Sequence, residues 1–468
     1  MMTLKRRHAL LTALFGAGYV GLRAMATGLP AWFIANPRRA TAQDLSCATP
    51  PQFLIVSVAS AGDPMNCNCP GTYGTDAIHP EQVEMLETPV TLGGVSYGAA
   101  LPWASTTAGG KLSDATLARI NFFHHVTLAN NHGDQPSVMR LMGAMDRAEM
   151  LVSAYAKHLG PCLGTIQNEP VSVGAGGNAS ELLSFGGRAL PSISPTQLVE
   201  LLTGTSGRSA GDSAALIDLR SIRDKHLDRL NALAKTDATQ IQQRFIDMYA
   251  SSQAQVRDLS VSLADTIADI QDDGVEGQAL AATMLIQAKV APVITMRIPF
   301  GGDNHDDAAL QNEVDDHTDV GGSFSGVAGI QRVMDALTAA GLQDSVTFAT
   351  LNVFGRNLNG IDKVVGRSGR DHYGNHSVAV LIGKNIRPGV VGGVVPVDDR
   401  GSSGALGAGD IDSATGAVLP SGGDIPRLDT HLAMARTLGV ALGIPEQSLT
   451  EDLITDAGGK VVPAALIA

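Results

Sequence analysis

The chain has 468 residues, of which 44% are hydrophobic and only 17% charged, and its formal net charge is −13. This length and composition exclude a disordered chain, a collagen and a small disulfide scaffold, and they favour a loop-rich α/β protein with a sizeable core. An acidic protein lacks the positive charge that binding to nucleic acid or to an anionic membrane requires, so we expect neither partner.

The first 42 residues resemble an export signal that is cleaved from the mature protein. Residues 5–7 are Lys-Arg-Arg, an interrupted apolar stretch covers 10–35, and Ala-Thr-Ala at 40–42 supplies a cleavage site. Without this segment 27 Lys and Arg oppose 46 Asp and Glu, a net charge of −19. An uncleaved anchor is the alternative. We expect a twin-arginine-type exported protein, periplasmic or secreted, with one domain over residues 43–468 and no membrane contact after cleavage.

The four cysteines, Cys47, Cys67, Cys69 and Cys162, all follow the predicted signal. An even number of cysteines in an exported chain permits two disulfides. Cys67 and Cys69 are too close in the chain to pair comfortably with each other, so we expect Cys47 and Cys162 to be their partners. A cysteine-only zinc site is the alternative, which the lack of a second Cys-x-x-Cys pair disfavours.

Apolar, β-rich runs alternate with segments of helical spacing along the mature chain. The predicted strands cover residues 53–59, 122–128, 292–298, 345–353, 376–382 and 390–397, and the main predicted helices cover about 136–158, 324–340 and 429–442. A glycine-rich loop is expected over 170–193. The stretch of about 195–290 carries helical spacing with almost no strand pattern, which indicates a helical insertion. This alternation predicts an α/β protein with a mostly parallel sheet and helices on both faces.

Polar residues stand beside several of the predicted strand ends. They are Asp63, His132, Asp303, His305, Asp371 and His372. In open α/β sheets ligands bind beyond the carboxyl ends of the strands, so we expect these side chains to lie together. Carboxylate oxygens and neutral imidazoles suit Zn²⁺, Mn²⁺ or Fe, and we predict a metal site there. Two alternatives remain: capping alone explains the Asp371-His372 turn, and the acids between 306 and 319 form a solvated loop or a loose Ca²⁺ site.

Several of these segments resemble the DUF1501 family of exported, often twin-arginine proteins, which is placed with the alkaline phosphatase and sulfatase superfamily. The resemblance runs in order from about residue 50 to 445, and it rests on residues 53–66, 301–305, 353–356, 369–373 and 428–444. It implies a three-layer α/β/α sandwich of alkaline-phosphatase type with one or two divalent ions, Zn, Mn, Fe or Ca, at the strand ends. Its motifs match Asp63, Asp303, His305, Asp371 and His372, and they add His376 as a further ligand.

The resemblance also implies cleavage of phosphate or sulfate esters, for which we assign three catalytic residues. Ser137 is the best-placed nucleophile, because it lies at the start of a predicted helix and a helix N-terminus favours an anion. Arg356 and Arg370 are expected to hold the ester anion through bidentate contacts. The family usually reads Ser-Glu-Phe-Gly-Arg where this chain has Asn-Val-Phe-Gly-Arg, so Val353 stands in place of a carboxylate.

Two functions from different classes follow from this sequence. The first is an exported, metal-binding hydrolase-like protein that acts on a small-molecule phosphate or sulfate ester. The second is a catalytically degenerate pseudoenzyme that serves as an envelope-associated binding or assembly protein with an unknown envelope partner. Metal analysis combined with assays on aryl phosphates and aryl sulfates separates the two, since the first requires both a bound ion and hydrolysis.

Overall fold

The computed structural model describes most of the chain from residue 50 onward. The described residues are 50–74, 77–145, 149–174, 184–185, 188–189, 192–203, 213–236, 243, 246, 250, 264–307, 309–358, 369–399, 402–456 and 458–467. The predictions for the export-type segment 1–42, for Cys47 and for much of the insertion fall outside these residues.

Short and long strands are spread over the described chain. They are β1 (Phe53–Ala59), β2 (Glu87–Leu92), β3 (Val95–Ala100), β4 (Ile120–His125), β5 (Val171–Ser172), β6 (Ser184–Phe185), β7 (Arg188–Ala189), β8 (Val293–Met296), β9 (Val346–Asn352), β10 (Gly355–Arg356), β11 (His372–Tyr373), β12 (Ser377–Ile382), β13 (Gly389–Val391), β14 (Val394–Asp399), β15 (Ser402–Ala408), β16 (Asp410–Ile411) and β17 (Val418–Leu419).

Helices separate these strands. They are α1 (Met65–Asn68), α2 (Asp114–Leu117), α3 (Gln135–Met139), α4 (Leu151–Leu163), α5 (Pro195–Thr203), α6 (Ser213–Thr236), α7 (Ala264–Asp269), α8 (Val275–Gln287), α9 (Gln311–Thr318), α10 (Gly326–Ala339), α11 (Thr430–Ala441) and α12 (Glu446–Ser448). None of the helices within the described ranges is both long and apolar enough to cross a bilayer.

Seven of the strands form one sheet, in the order β13-β4-β12-β9-β1-β8-β5. Strand β12 runs antiparallel to both of its neighbours, β4 and β9. The other four pairs in this sheet are parallel. The prediction of an α/β protein with a mostly parallel sheet is therefore confirmed.

The sheet buries both of its faces under helices. Successive side chains of a strand point to opposite faces, and in β1 Phe53 and Ile55 join one hydrophobic core while Leu54 and Val56 join another. The first core contains residues of α8 and α10, and the second contains residues of α4 and α11. This double coverage explains why β1 is buried at every position and apolar at all of them except Ser57.

Two of the predicted elements are each divided into two in the structure. The segment 390–397 is two strands, because Gly392 and Gly393 have positive φ values of 72° and 153° that end one strand before the next begins. Strand β13 joins the main sheet, whereas β14 pairs with β15 in a separate hairpin. The segment 136–158 is likewise two helices, since Leu141 and Met142 adopt left-handed conformations with φ of 51° and 55°.

The predicted disulfides that join Cys67 and Cys69 to Cys47 and Cys162 are wrong. Both residues are free thiols and fully buried, while Cys162 is disulfide-bonded. Burial raises the pKa of both thiols, to about 12 for Cys69. The Sγ atom of Cys67 lies 3.7 Å from the carbonyl oxygen of Arg356, where it packs as a weak donor.

Candidate metal centre

Three of the predicted ligands meet at the edge of the sheet where β1, β4, β8 and β9 end and β12 begins. His132 lies in the 3₁₀ turn His132–Asp134 after β4, Asp303 in the loop after β8, and His372 in β11. Their ligand atoms all lie within 4.8 Å of one another. His132 and Asp303 follow strands that end at this edge, and His372 reaches the same edge because β12 runs antiparallel and begins there.

The carboxylate of Asp303 is the centre of this group. Its Oδ2 atom lies 3.0 Å from Nε2 of His132, and its Oδ1 atom lies 3.3 Å from Nε2 of His372. The two imidazole rings are 4.5 Å apart and nearly perpendicular. The three side chains are 36%, 33% and 21% exposed, so an ion and a small molecule can both reach them from solvent.

Backbone carbonyls on the far side of both rings determine which nitrogen carries the proton. Nδ1 of His132 lies 2.6 Å from the oxygen of Ser60, and Nδ1 of His372 lies 2.9 Å from the oxygen of Asn130. A carbonyl oxygen only accepts, so in the neutral ring the proton is on Nδ1 and Nε2 presents a lone pair. Both lone pairs then face Asp303, which is also an acceptor, so either a proton on each ring or a metal ion must lie between these atoms.

For His372 and Asp303 the electrostatics favour the metal ion. Burial lowers the pKa of His372, and the electrostatic interactions with Arg356 and His132 lower it further. The Asn130 carbonyl and the Asp303 carboxylate raise this pKa, but they do not outweigh the other contributions. Burial alone would raise the pKa of Asp303, but the hydrogen bonds from His305 and Arg356 outweigh it and hold that pKa well below its usual range. Neutral imidazole and ionised carboxylate are the forms that bind metals.

His305 lies beside the group and contacts carboxylates at both ring nitrogens. Its Nδ1 is 2.6 Å from Oδ1 of Asp303, and its Nε2 is 3.2 Å from Oδ2 of Asp306. It therefore holds Asp303 from the solvent side. Among the described residues the group within 4.8 Å is formed by the other three side chains, so the structure places His305 next to the predicted site and not within that group.

The guanidinium of Arg356 is buried inside the loops that carry the group. It donates to the oxygens of Gly62 at 2.5 Å, Ala61 at 2.8 Å and Arg370 at 3.1 Å, and to Oδ1 of Asp303 at 2.7 Å. Four of its five N–H donors are thereby used within the protein. The geometry makes Arg356 a residue that fixes Asp303, whereas the sequence predicted a contact to a bound anion.

Arg370 is also occupied, by a buried carboxylate that sequence reasoning missed. Its Nε and Nη2 atoms lie 2.8 and 3.1 Å from the two oxygens of Glu313, and both side chains are at most 4% exposed. Glu313 also accepts from the side chains of Asn68 and Asn304. An ester anion would reach Arg370 only if this pair opened.

Three further predicted ligands lie outside the group, as far as the described residues show. Asp63 is fully buried, and its Oδ1 accepts from the N–H of Gly302 at 2.8 Å, which holds the loop before Asp303. Burial raises the pKa of Asp63. His376 is buried with contacts at both ring nitrogens. The backbone N–H of Asp371 donates to Oδ1 of Asn357 at 2.9 Å.

The surroundings of the predicted nucleophile and of the family carboxylate are both unfavourable for anion chemistry. Ser137 is exposed in α3, which has only five residues and therefore too short a dipole to bind an anion. Val353 is buried in a small apolar cluster with Ala129, Val138 and Phe354. The Phe354 ring stacks against His372 at 4.4 Å, so an apolar wall borders the metal centre on this side.

Gly369 allows the two ligand-bearing loops to lie against each other. Its N–H donates to the oxygen of His305 at 2.9 Å, and a Cβ at this position would stand 1.8 Å from the oxygen of Asn304.

We expect Gly369→Ala to destabilise the protein by about 1–3 kcal/mol, as overpacking does, and to weaken Zn²⁺ binding. Urea unfolding and a chelator competition measure the two effects. Gly133→Ala is the control, because its Cβ meets only ordinary contact at 3.4 Å; equal effects of both variants would contradict this account.

Buried histidines predict a loss of stability in mild acid. Burial lowers the pKa of His124 and His125 to about 4, against 6.5 in an unfolded chain. Between these values the unfolded chain binds more protons, so the stability is fully present above pH 6.5 and falls as the pH drops towards 4. At pH 5 each of these rings lowers the free energy of unfolding by about 2 kcal/mol relative to neutral pH.

The variant His125→Gln isolates this effect. Between pH 7 and pH 5 we expect it to lose about 2 kcal/mol less than the wild type in urea unfolding. His226 is exposed, and His226→Gln should keep the wild-type dependence. A wild-type slope in His125→Gln would show that this ring is not neutral in the fold.

The sheet and this group of side chains define a class: a mostly parallel α/β protein with two histidines and one aspartate of metal-ligand type at its strand ends. The family described as "Protein of unknown function (DUF1501)" matches residues 167–402. This is half of the chain, and the protein belongs to that family. The match includes Asp303, Arg356 and His372 and begins after His132. No curated protein matches the chain.

Proposed function

We propose that this protein binds one divalent metal ion through His132, Asp303 and His372, and that it is an exported metal-dependent hydrolase-like protein. The observation that carries the proposal is the pair of Nε2 lone pairs that face the Asp303 carboxylate while both Nδ1 atoms are committed to backbone carbonyls. Metal-binding histidines have this pattern, with the second ring nitrogen donating to a carbonyl or carboxylate.

The donor set favours zinc among the candidate metals. Two imidazoles and one carboxylate suit Zn²⁺, Mn²⁺ or Fe, whereas Ca²⁺ prefers a set of six to eight oxygens. Three protein ligands are typical of catalytic zinc sites, which keep a fourth position for water or substrate. When bound, such an ion lowers the pKa of a coordinated water and polarises an ester oxygen.

The protein's own residues supply orientation around that ion. Arg356 and His305 hold Asp303, and the oxygens of Ser60 and Asn130 hold the two rings. The proposed substrate is a small-molecule phosphate or sulfate ester, which rests on the resemblance to the alkaline phosphatase superfamily. Arg356 pairs with Asp303, and Arg370 pairs with Glu313. We therefore expect the ester anion to bind the metal ion and not these arginines.

A second candidate is a pseudoenzyme that keeps the fold for binding or assembly with an envelope partner. Two observations favour it: Val353 is packed in an apolar cluster where the family carries a carboxylate, and both candidate anion-binding arginines are buried in ion pairs. This candidate is compatible with a bound ion that has no catalytic role.

Metal analysis and ester hydrolysis test both candidates together on protein purified from its native compartment. The hydrolase proposal predicts about one equivalent of tightly bound transition metal and hydrolysis of an aryl phosphate or aryl sulfate that a chelator abolishes. Bound metal without hydrolysis favours the pseudoenzyme. Less than about 0.2 equivalents together with no hydrolysis would overturn the metal-dependent proposal.

A further inference from the structure

Asn66 connects a buried histidine to the backbone of Arg356. Its Oδ1 accepts from the N–H of Arg356 at 2.8 Å, and its Nδ2 donates to the carbonyl oxygen of the same residue at 2.9 Å. Nδ2 also lies 3.0 Å from Nδ1 of His376. Asn66 and His376 are at most 1% exposed, so these contacts are shielded from water. One side chain therefore fixes both backbone polar groups of the arginine that holds Asp303.

The histidine is itself fixed from behind by a second ring. Nε2 of His376 lies 3.0 Å from Nδ1 of His124, whose Nε2 lies 3.0 Å from the oxygen of Pro70. The Pro70 carbonyl accepts only, which puts the proton of His124 on Nε2 and leaves its Nδ1 to accept from His376. His376 then accepts from the Asn66 amide through Nδ1. Every donor in this chain of contacts meets an acceptor while both rings are neutral.

This chain of contacts ends at two of the three metal ligands. The side chain of Arg356 donates to Asp303, and Arg356 lies opposite His372 in the antiparallel register of β10 and β11. The preceding residue is glycine, and a Cβ there would stand 2.1 Å from the oxygen of His376 and 2.7 Å from the Asn66 side chain. The packing thus leaves no room for a side chain at position 355. This close packing holds Arg356 against Asn66.

We propose that Asn66 and His376 are positioning residues of the metal centre. They act through Arg356, which presents the Asp303 carboxylate and aligns the strand of His372. The inference rests on the proposed metal site, and it gives His376 a role different from the ligand role that the sequence suggested. Neighbours that orient ligands in this way change metal affinity 10- to 100-fold when they are removed.

The experiment compares Zn²⁺ affinity, measured by competition with a chromophoric chelator, in Asn66→Ala, His376→Leu and His376→Gln. We expect Asn66→Ala and His376→Leu to bind about 10- to 100-fold more weakly than the wild type. Gln keeps an amide donor and acceptor at position 376, so His376→Gln should retain most of the affinity. The absorption spectrum of the Co²⁺-loaded protein should change in the two weak variants, since it reports on coordination geometry.

His431→Leu is the matched control for lost stability. His431 is also buried, and its ring stacks against that of His125 with 5.0 Å between the ring centroids. It takes no part in the chain of contacts from His124 to Arg356 described above. It should unfold at lower urea yet bind Zn²⁺ like the wild type. Wild-type affinity in Asn66→Ala and His376→Leu, or an equal loss in His431→Leu, would overturn the positioning role while leaving the proposed function intact. No Zn²⁺ binding by the wild type would overturn both.

Discussion

Asp303→Asn is expected to weaken Zn²⁺ binding by about 100-fold or more, since it removes the only carboxylate of a three-ligand site. Both histidine Nε2 atoms face this carboxylate, at 3.0 and 3.3 Å. Asparagine has the same shape and keeps one oxygen, but it carries no charge and places an amide donor in the site. The dissociation constant is measured by competition with a chromophoric chelator.

Asp307→Asn is the matched control for this change. Asp307 lies in the same loop and accepts from the N–H of Asn312 at 2.7 Å, away from the two histidines. We expect its Zn²⁺ affinity to stay within about 3-fold of the wild type, because it is not a ligand. If both aspartate variants bind Zn²⁺ as the wild type does, the assignment of Asp303 as a ligand is wrong.

Glu313→Gln is expected to lower the free energy of unfolding by about 3–5 kcal/mol, the cost of leaving one charge of a buried pair without its partner. The Arg370 guanidinium would remain buried, and the new amide would turn donors towards the donors of Arg370. Asn68 and Asn304 would also compete for the one remaining oxygen. Urea unfolding at pH 7 measures this loss.

Two comparisons show whether the loss comes from burial. Asp344 pairs with Arg119 at 2.6 Å with both side chains 35–50% exposed, and Asp344→Asn should cost less than about 1 kcal/mol. Replacing both Glu313 and Arg370 by Met should cost less than Glu313→Gln alone, since no charge is then left buried. A double variant that is less stable than Glu313→Gln would contradict this explanation.

The sequence was sufficient for the sheet and for the edge at which the site lies. Strands β1, β9 and β12 are mostly apolar, β-rich runs, and their predicted bounds agree with the structure within one residue. Polar residues that follow such runs collect at one edge because parallel strands end there. This rule placed His132 and Asp303 together although 171 residues separate them, whereas His372 reaches the same edge because β12 runs antiparallel and begins there.

The roles of the two arginines could not be predicted. The sequence predicts bidentate contacts from Arg356 and Arg370 to a bound anion, whereas both side chains are buried, which is uncommon for arginine. Their partners are distant in the chain: Glu313 is 57 residues from Arg370, and Asn66 is 290 residues from Arg356. Neither partner stands out in the sequence, because Glu313 lies among other acids and Asn66 in a short polar run.

The separation of His372 from His376 was equally hidden. Both are histidines at the start of the same β-rich segment, but His372 lies on β11 at the partly exposed edge, and His376 is fully buried just before β12. The break at Leu141 and Met142 was also unpredictable, since left-handed conformations are uncommon for residues other than glycine. Local patterns therefore gave the elements, and tertiary contacts decided which polar residues are ligands.

Anomalous diffraction from crystals grown with Zn²⁺ tests the central claim most directly. Data collected above and below the zinc absorption edge locate the ion without reference to any activity. We predict one strong peak about 2.0–2.2 Å from Nε2 of His132, Nε2 of His372 and a carboxylate oxygen of Asp303. Full zinc occupancy at another position, with none between these three side chains, would contradict the proposed metal centre.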